Sequence, residues 1–291
     1  YEMKRCLVGF GDVYKRQILI TGCSTGIGYQ VAKDLHFNSD YQVIASARNS
    51  EDVARLHAEG LFCIQLDLQD SSSIQSAFKQ TMEYTGGELY GLFNNGAYGQ
   101  PGAVEDLSRS MISEQFETNV FGTMELTSLA INVMRKQNQG RILFNSSVLG
   151  FVALTFRGAY SASKYALEGF ADTLRLELAD TGIDISLIEP GPVATNFRNN
   201  SHAMYIKTLK GKPSVFAEAY RVNEARLAKT GPASRFTLPA RAVTPKVIHA
   251  LNSKRAKARY YVTFPTYLMA YLKRILTHKA LDRVLLKISQ S

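Results

Sequence analysis

One short stretch near the start of the chain restricts its fold more than any other. Residues 18–21 form a short apolar run, a glycine-rich segment follows at once, and residues 29–35 have the pattern of a helix. Glycines let the backbone turn tightly, and the first turn of a helix presents unpaired N–H groups to negative charge. A strand, a glycine turn and a helix in this order predict a site for a dinucleotide diphosphate. The residues predicted to bind it are Thr21, Gly22, Ser24, Thr25, Gly26, Ile27 and Gly28.

The rest of the chain alternates strands with helices. Further strands are predicted at residues 42–47, 62–68, 89–93, 141–147, 183–188 and 260–263, and helices at 72–85, 110–137, from 160 onward, 215–228 and 242–251. This alternation implies right-handed crossovers and a parallel, doubly wound sheet flanked by helices. A chain of 291 residues is long enough for one large α/β core, so residues 16–291 are predicted to form a single domain.

Three segments do not belong to this alternation. Residues 1–15 begin without methionine and match nothing downstream, so we expect them to be non-native or disordered. Residues 192–240 are loosely patterned and lie near the carboxyl ends of the strands, where they are well placed to form a lid over a substrate. Residues 265–291 mix apolar and basic side chains and predict amphipathic helices.

Composition narrows the class of protein. No apolar run reaches the roughly 18 residues of a membrane-spanning helix, and the first residues do not form a secretory signal. The three cysteines show neither disulfide nor metal-ligand spacing, which favours a cytoplasmic protein without a metal site.

Charge is unevenly distributed. Residues 192–291 carry 19 lysine and arginine residues against 3 aspartate and glutamate residues, whereas residues 1–191 carry 15 against 22. We interpret the basic part as a solvated face or one that packs against the acidic half. No nucleic-acid-binding motif accompanies it. Peripheral contact of the basic C-terminal stretch with a membrane is left open as an alternative.

The residues at the ends of the second and third strands indicate which cofactor the protein binds. An acidic residue about 20 positions after the glycines would bind the ribose of NAD, and an arginine accommodates the phosphate of NADP. This chain has Arg48 there, which favours NADP over NAD, although a surface arginine is the alternative. Asp67 lies at the carboxyl end of the third strand, where ligands of such sheets bind.

Tyr160 and Lys164 are the candidate catalytic pair. Residues four positions apart share one face of a helix. An ammonium held against a phenol lowers its pKa from about 10, and we expect Lys164, helped by a cationic cofactor ring, to bring the pKa of Tyr160 toward about 7. The alternative is an ordinary aromatic ring beside a solvated lysine. Ser147, at the end of an apolar run thirteen residues before Tyr160, favours the catalytic interpretation.

Together these motifs resemble the short-chain dehydrogenase/reductase family. The resemblance covers about residues 17–195 and rests on Thr21-Gly22-x-x-x-Gly26-Ile27-Gly28, Asp67, Asn94-Asn95, Asn119, Ser147, Tyr160-x-x-x-Lys164 and Pro190-Gly191. It implies a Rossmann-type fold and a catalytic tetrad of Asn119, Ser147, Tyr160 and Lys164. The further cofactor contacts that it implies are Leu68, Asn94, Pro190, Gly191, Val193 and Thr195. The order Asn94-Asn95-Gly96-Ala97 departs from the usual Asn-Asn-Ala-Gly and looks most like the retinol- and hydroxysteroid-dehydrogenase branch and its bacterial relatives.

The resemblance also implies a reaction. Hydride passes between NADPH and a carbonyl carbon while Tyr160 exchanges the proton, Ser147 binds the oxygen, Lys164 binds the nicotinamide ribose, and Asn119 holds a water. Apolar residues near the site favour a hydrophobic aldehyde, ketone or alcohol as substrate, although the same residues fit a core equally well. The family implies a homodimer or homotetramer. Two rival interpretations are a silent NADP(H)-binding sensor and a membrane-peripheral protein that uses its basic end.

Overall fold

The computed structural model describes residues 15–38, 40–228, 231–232 and 234–290. Within them, seven parallel strands form one sheet in the order β3-β2-β1-β4-β5-β6-β9. Its strands are β1 (Arg16–Ile20), β2 (Tyr41–Ala47), β3 (Phe62–Gln65), β4 (Gly91–Asn94), β5 (Gly140–Asn145), β6 (Ile183–Glu189) and β9 (Arg259–Tyr261). The short strands β7 (Val193–Ala194) and β8 (Leu238–Pro239) pair separately. The predicted parallel, doubly wound sheet is confirmed. The segment 1–15 lies outside the described residues except for Lys15.

Helices cover both faces of the sheet. They are α1 (Gly26–His36), α2 (Ser50–Ala58), α3 (Ser71–Thr85), α4 (Arg109–Phe116), α5 (Gly122–Gln137), α6 (Gly158–Glu177), α7 (Phe197–Thr208), α8 (Ala217–Ala228), α9 (Thr244–Asn252), α10 (Phe264–Ile275) and α11 (His278–Gln290). The helix predicted over residues 110–137 is confirmed, since α4 and α5 are continuous through a π-helical turn at Glu117–Phe121 that the sequence did not indicate. Helix α7 was not predicted, since its sequence has little amphipathic pattern.

The strands are buried on both faces, which is why they read as continuous apolar runs. Successive side chains point to opposite faces of a strand. Ile18 and Ile20 therefore join the apolar layer that contains α1 and α9, while Leu19 joins the layer that contains α3, α5 and α6. This sandwich fixes the carboxyl ends of β1, β4 and β5 side by side, because all three strands run in one direction.

The C-terminal helices dock on the body of the protein. Met269 and Leu281 are buried against Val152, and the Lys273 ammonium donates to the backbone oxygen of Phe151. In the described part of the chain, every helix is too short or too polar to span a membrane.

Candidate active site

One asparagine ties three strand ends together. The side-chain amide of Asn95 donates to the backbone oxygens of Thr21 and Gly22 at 2.8 and 3.1 Å and accepts from the Asn145 amide at 2.9 Å. The Thr21 hydroxyl in turn accepts from the backbone N–H groups of Asn95 and Gly96 at 2.9 and 2.8 Å. These hydrogen bonds join the loops after β1, β4 and β5 in one arrangement, and the Asn145 side-chain oxygen is the one polar side-chain atom of the network that is buried without a partner among the described residues.

The glycine segment is shaped to receive a diphosphate. Gly22 and Gly26 have φ values of +70° and +67°, in the left-handed region that glycine adopts without strain. A Cβ atom on Gly22 would lie 2.7 Å from the Gly96 Cα atom, so only glycine allows this close approach. Thr25 precedes α1 but makes no side-chain capping bond, which leaves N–H groups of the first helical turn open to an anion.

A cleft of about 420 Å³ runs from this segment to the candidate catalytic pair. The predicted site residues that line it are Gly22, Ser24, Thr25, Gly26, Ile27, Ser147, Tyr160, Lys164, Pro190, Gly191, Val193 and Thr195. The fold therefore brings together residues that the sequence separates by more than 160 positions. An elongated ligand on the glycine segment would reach Tyr160 with its other end.

A second cavity continues the cleft past Gly22 and Ser24 toward the ends of β2 and β3. Four of the residues predicted to bind the cofactor, Thr21, Arg48, Asp67 and Leu68, line it. The Arg48 side chain is exposed there. Asp52 shares the cavity wall, but its carboxylate is paired with the Arg55 guanidinium at 3.0 Å.

Two residues predicted to contact the cofactor, Gly28 and Asn94, do not line the cleft or the second cavity. A Cβ atom on Gly28 would lie 2.4 Å from both the Gly22 oxygen and the Asn95 amide nitrogen, so Gly28 lets α1 pack closely. The Asn94 amide donates to the Thr127 hydroxyl of α5 at 2.9 Å. Asn94 shares a sheet face with Leu92, two residues before it, and that face is covered by α5. The wall residue at this strand end is Asn95.

Asn119 lies in the π-helical turn and is almost wholly buried. Its amide donates to the Tyr98 oxygen and to the Ser163 hydroxyl, both at 3.0 Å, and its side-chain oxygen accepts from the Tyr98 N–H at 3.2 Å. The Ser163 hydroxyl donates to the backbone oxygen of Tyr160 at 2.7 Å. The side chain of Asn119 thus anchors the helix that carries the catalytic pair. This also explains an asparagine where helix propensity disfavours one.

The protein by itself does not lower the pKa of Tyr160, so the lowering expected from Lys164 together with a cationic cofactor ring stays a prediction. Burial raises the pKa of Tyr160 to about 12, while the Ser147 hydroxyl and the Arg157 guanidinium act in the opposite direction. The Lys164 ammonium lies 5.7 Å from the centre of the Tyr160 ring and donates instead to the Asn145 backbone oxygen at 2.7 Å. In the protein alone, Tyr160 is therefore a protonated phenol at neutral pH.

Lys164 is also fully enclosed. Burial lowers the pKa of Lys164 to about 8, and the carboxylate of Glu168 opposes this change. Burial raises the pKa of Glu168, while hydrogen bonds from the Ser146 hydroxyl and the Arg259 guanidinium act in the opposite direction. Lys164 thus remains largely protonated at pH 7.

Beyond the catalytic pair lies a smaller cavity of about 170 Å³ that the sequence did not indicate. Tyr160, Leu149, Phe197 and Leu227 supply apolar surface, and Gly99 to Pro101 form its far side. Three arginines line it as well: Arg157 from the start of α6, Arg198 from α7 and Arg226 from α8. No spacing in the sequence relates these three, which is why they were missed.

The fold and this cleft define a dinucleotide-binding oxidoreductase with a tyrosine–lysine pair. The model of the short chain dehydrogenase family matches residues 16–206, and the chain belongs to that family. It is 38% identical over 275 residues to an uncharacterised oxidoreductase, YbbO, of Escherichia coli K12, covering 94% of this chain and 96% of that protein. It is 37% identical over 191 residues to human retinol dehydrogenase 8, covering 62% and 60% of the two chains. The predicted family is confirmed.

Solved structures agree on the fold. A short-chain dehydrogenase/reductase of Burkholderia phymatum in complex with NAD has a TM-score of 0.76 at 22% identity, covering 92% of this chain and 94% of that one. The actinorhodin polyketide ketoreductase with NADPH has a TM-score of 0.68 at 24% identity, covering 85% and 95%. Both nicotinamide cofactors thus occur on this fold.

Proposed function

We propose that this protein is an NADP(H)-dependent oxidoreductase that interconverts a carbonyl compound and its alcohol. The observation that carries the proposal is the position of Tyr160, a protonated phenol beside Ser147 at the end of the cleft that begins at the glycine segment. A group with this pKa is a proton donor at neutral pH, which suits reduction of a carbonyl.

Each residue then has one role. The bound nicotinamide supplies or accepts the hydride. Tyr160 donates its proton to the carbonyl oxygen, and the Ser147 hydroxyl donates a hydrogen bond to the same oxygen as negative charge develops there. In alcohol oxidation the proton moves in reverse, from the hydroxyl to the tyrosinate.

Lys164 and Asn119 support this proton transfer. The ammonium, held by the Asn145 oxygen at the cleft floor, would bind the nicotinamide ribose and stabilise the phenolate left after proton donation. The Asn119 side chain is hydrogen-bonded to Ser163 and Tyr98, and it therefore holds the helix that carries Tyr160 next to the loop that contains Tyr98. A water held near Asn119, as the family resemblance implies, would return the proton from solvent.

Arg48 supports NADP as the preferred cofactor. Its guanidinium is exposed at the adenosine end of the cleft and forms no ion pair among the described residues, whereas the nearby Asp52 is neutralised by Arg55. An unpaired guanidinium attracts a phosphate, and a paired carboxylate is less available to a ribose.

The test is cofactor oxidation by the purified protein, followed by absorbance with NADPH and then with NADH against a set of aldehydes and ketones. Turnover with NADPH well above turnover with NADH is expected. Arg48→Ala is expected to weaken NADPH affinity about tenfold or more and to leave NADH affinity within twofold. Equal rates with both cofactors would refute the NADP preference. Cofactor binding without any turnover would favour the rival sensor function.

Three wider interpretations stay predictions. Exposed apolar side chains on α6, among them Phe170 and Leu176, support a homodimer or homotetramer. Exposed Tyr267 and Tyr271 beside Lys273 and Arg274 support peripheral membrane contact of residues 265–291. The cytoplasmic location and the lid function of residues 192–240 likewise await experiment.

A further inference from the structure

Three arginines meet in the cavity beside Tyr160, and they affect one another. Burial, together with the charge of Arg226, lowers the pKa of Arg157 to about 10. Burial and the charge of Arg198 likewise lower the pKa of Arg226. Like charges that lie this close in a half-buried cavity destabilise the protein when nothing compensates them.

No carboxylate compensates them within the described residues. Among these, Arg157, Arg198 and Arg226 form no salt bridge. Arg198 donates to the Gly231 backbone oxygen and Arg226 to the Asn223 amide oxygen, both uncharged groups. Residues 229, 230 and 233, which lie outside the described part, are lysine, threonine and alanine.

The acidic residues of the lid segment, residues 192–240, form ion pairs with other cations. Between residues 192 and 240 the only two are Glu218 and Glu224. Glu218 pairs with Arg221 on the outer surface, and Glu224 pairs with Lys210 at 2.6 Å. The lid segment thus neutralises two of its exposed cations and leaves the cations that face the cavity without an anion.

The cluster lies at the Tyr160 end of the cleft, away from the diphosphate site. Arg157 and Arg226 line both the large cleft and the smaller cavity. Arg198, Gly99, Gln100 and Pro101 line only the smaller cavity, which includes none of the glycine segment. Arg157 is also near enough to Tyr160 to lower the pKa of its phenol. An anion bound here would therefore belong to the molecule whose carbonyl meets Tyr160.

We propose that the substrate carries an oxyanion, a carboxylate or a phosphate, which Arg157 and Arg226 bind while its carbonyl group lies against Tyr160. Guanidinium groups bind both anions through paired N–H donors. Leu149, Phe197 and Leu227 enclose the apolar part between the two ends. The substrate is thus a small amphipathic carbonyl acid or alcohol acid, more polar than the wholly hydrophobic compound predicted from the sequence. This inference rests on the proposed function.

The first experiment measures binding and needs no turnover. Dissociation constants of benzoate, phenyl phosphate and the neutral benzamide are determined by calorimetry on the full protein with saturating NADP⁺. Benzoate or phenyl phosphate is expected to bind at least tenfold more tightly than benzamide, and the tighter of the two identifies the oxyanion. Arg157→Met and Arg226→Met are each expected to raise the dissociation constants of the anions roughly 10- to 100-fold and that of benzamide less than twofold.

Arg221→Met is the matched control. Arg221 lies on α8, as Arg226 does, but it faces solvent and pairs with Glu218. Its loss is expected to leave all three dissociation constants unchanged. Equal binding of the anions and benzamide in wild type would overturn the proposal. So would loss of NADPH affinity in Arg157→Met and Arg226→Met with an unchanged preference for anions, because the arginines would then serve the cofactor.

A kinetic experiment separates this inference from the proposed function. The ratio of kcat/KM for 4-formylbenzoate to that for its neutral methyl ester is expected to exceed ten in wild type and to fall toward one in Arg157→Met. Turnover of both aldehydes at equal kcat/KM would overturn the anion site and leave the oxidoreductase intact. Arginine-dependent binding of benzoate or phenyl phosphate without turnover of any carbonyl would keep the anion site and refute the proposed reaction.

Discussion

The two halves of the cleft differ in whether their polar and charged groups are paired within the protein. In the strand-end half, formed by Thr21, Asn95, Asn145 and Lys164, the polar groups bond to one another and hold three loops in place. In the lid half, formed by Arg157, Arg198 and Arg226, like charges face a cavity without an acid among the described residues. Paired groups make a rigid scaffold that is ready for a cofactor, whereas unpaired charges await a ligand. Tyr160 lies where the two halves meet.

The largest effect is expected from replacing Tyr160, which should lower turnover without weakening cofactor binding. Tyr160→Phe removes the phenolic proton and keeps the ring that packs 5.1 Å from the Phe197 ring. Turnover is expected to fall about 10³-fold or more, since positioned general acids contribute roughly 10²- to 10⁴-fold. NADPH affinity, measured by fluorescence titration, is expected to stay within twofold of wild type. A variant that keeps most of its activity would show that another group supplies the proton.

The next largest effect is expected from a substitution that disrupts the hydrogen-bond network of the strand-end half. Gly28→Ala places a methyl group 2.4 Å from the Gly22 oxygen and from the Asn95 amide, both of which belong to the rigid network. The free energy of unfolding is expected to fall by about 1–3 kcal/mol, as in other overpacked cores. NADPH affinity is expected to fall with it.

Gly169→Ala provides the control for this substitution. Gly169 also lies in a helix, but a Cβ atom there would meet nothing within 4 Å. Replacement in helix α6 is expected to stabilise the protein by about 0.5–1 kcal/mol. Denaturant unfolding measures both variants. Equal stability of the two proteins would mean that the loop around Gly22 yields easily.

A pH profile tests the charge of Lys164 within the same half. Because burial lowers its pKa to about 8 in the folded protein, the ammonium loses its proton as the pH rises through about 8. If the ammonium binds the nicotinamide ribose, kcat/KM for NADPH is expected to be level below that pH and to fall about tenfold between pH 7 and pH 9.

Glu168 sharpens this test. Its carboxylate raises the pKa of Lys164, so Glu168→Gln is expected to move the fall in activity to lower pH. Asp172→Asn is the matched control, since Asp172 shares Arg259 with Glu168 but does not act on Lys164. An unchanged profile in Glu168→Gln would contradict this role for its charge.

The smallest effect concerns the lid half. Arg157→Met removes one of three repelling cations and keeps an apolar chain in its place. The free energy of unfolding, without ligand, is expected to rise by about 0.5–2 kcal/mol, as when a functional site is made less strained. Thermal unfolding at low ionic strength measures the change. A fall in stability would mean that the cluster is compensated within the protein.

Local patterns carried much of the prediction. Apolar runs located the strands of the sheet, because a strand buried on both faces has few polar residues. The glycine segment of α1 followed from local spacing, and the Tyr160–Lys164 pair followed from its spacing together with Ser147 upstream, since a turn and a helix face are set by neighbours along the chain. The π-helical turn between α4 and α5 was not predicted, because such a turn has no simple composition.

The sequence by itself determined the sheet, the strand–glycine–helix unit and the tyrosine–lysine pair, because each depends on residues a few positions apart. The tertiary structure decided that Asn95 rather than Asn94 lines the cleft, since that depends on which sheet face α5 covers. It also decided the direction in which the pKa of Tyr160 shifts, because burial outweighs the Ser147 hydrogen bond and the Arg157 charge. Packing alone brought Arg157 and Arg226 together across 69 positions. Desolvation and long-range contact exist only once the chain has folded, and they set the chemistry of this site.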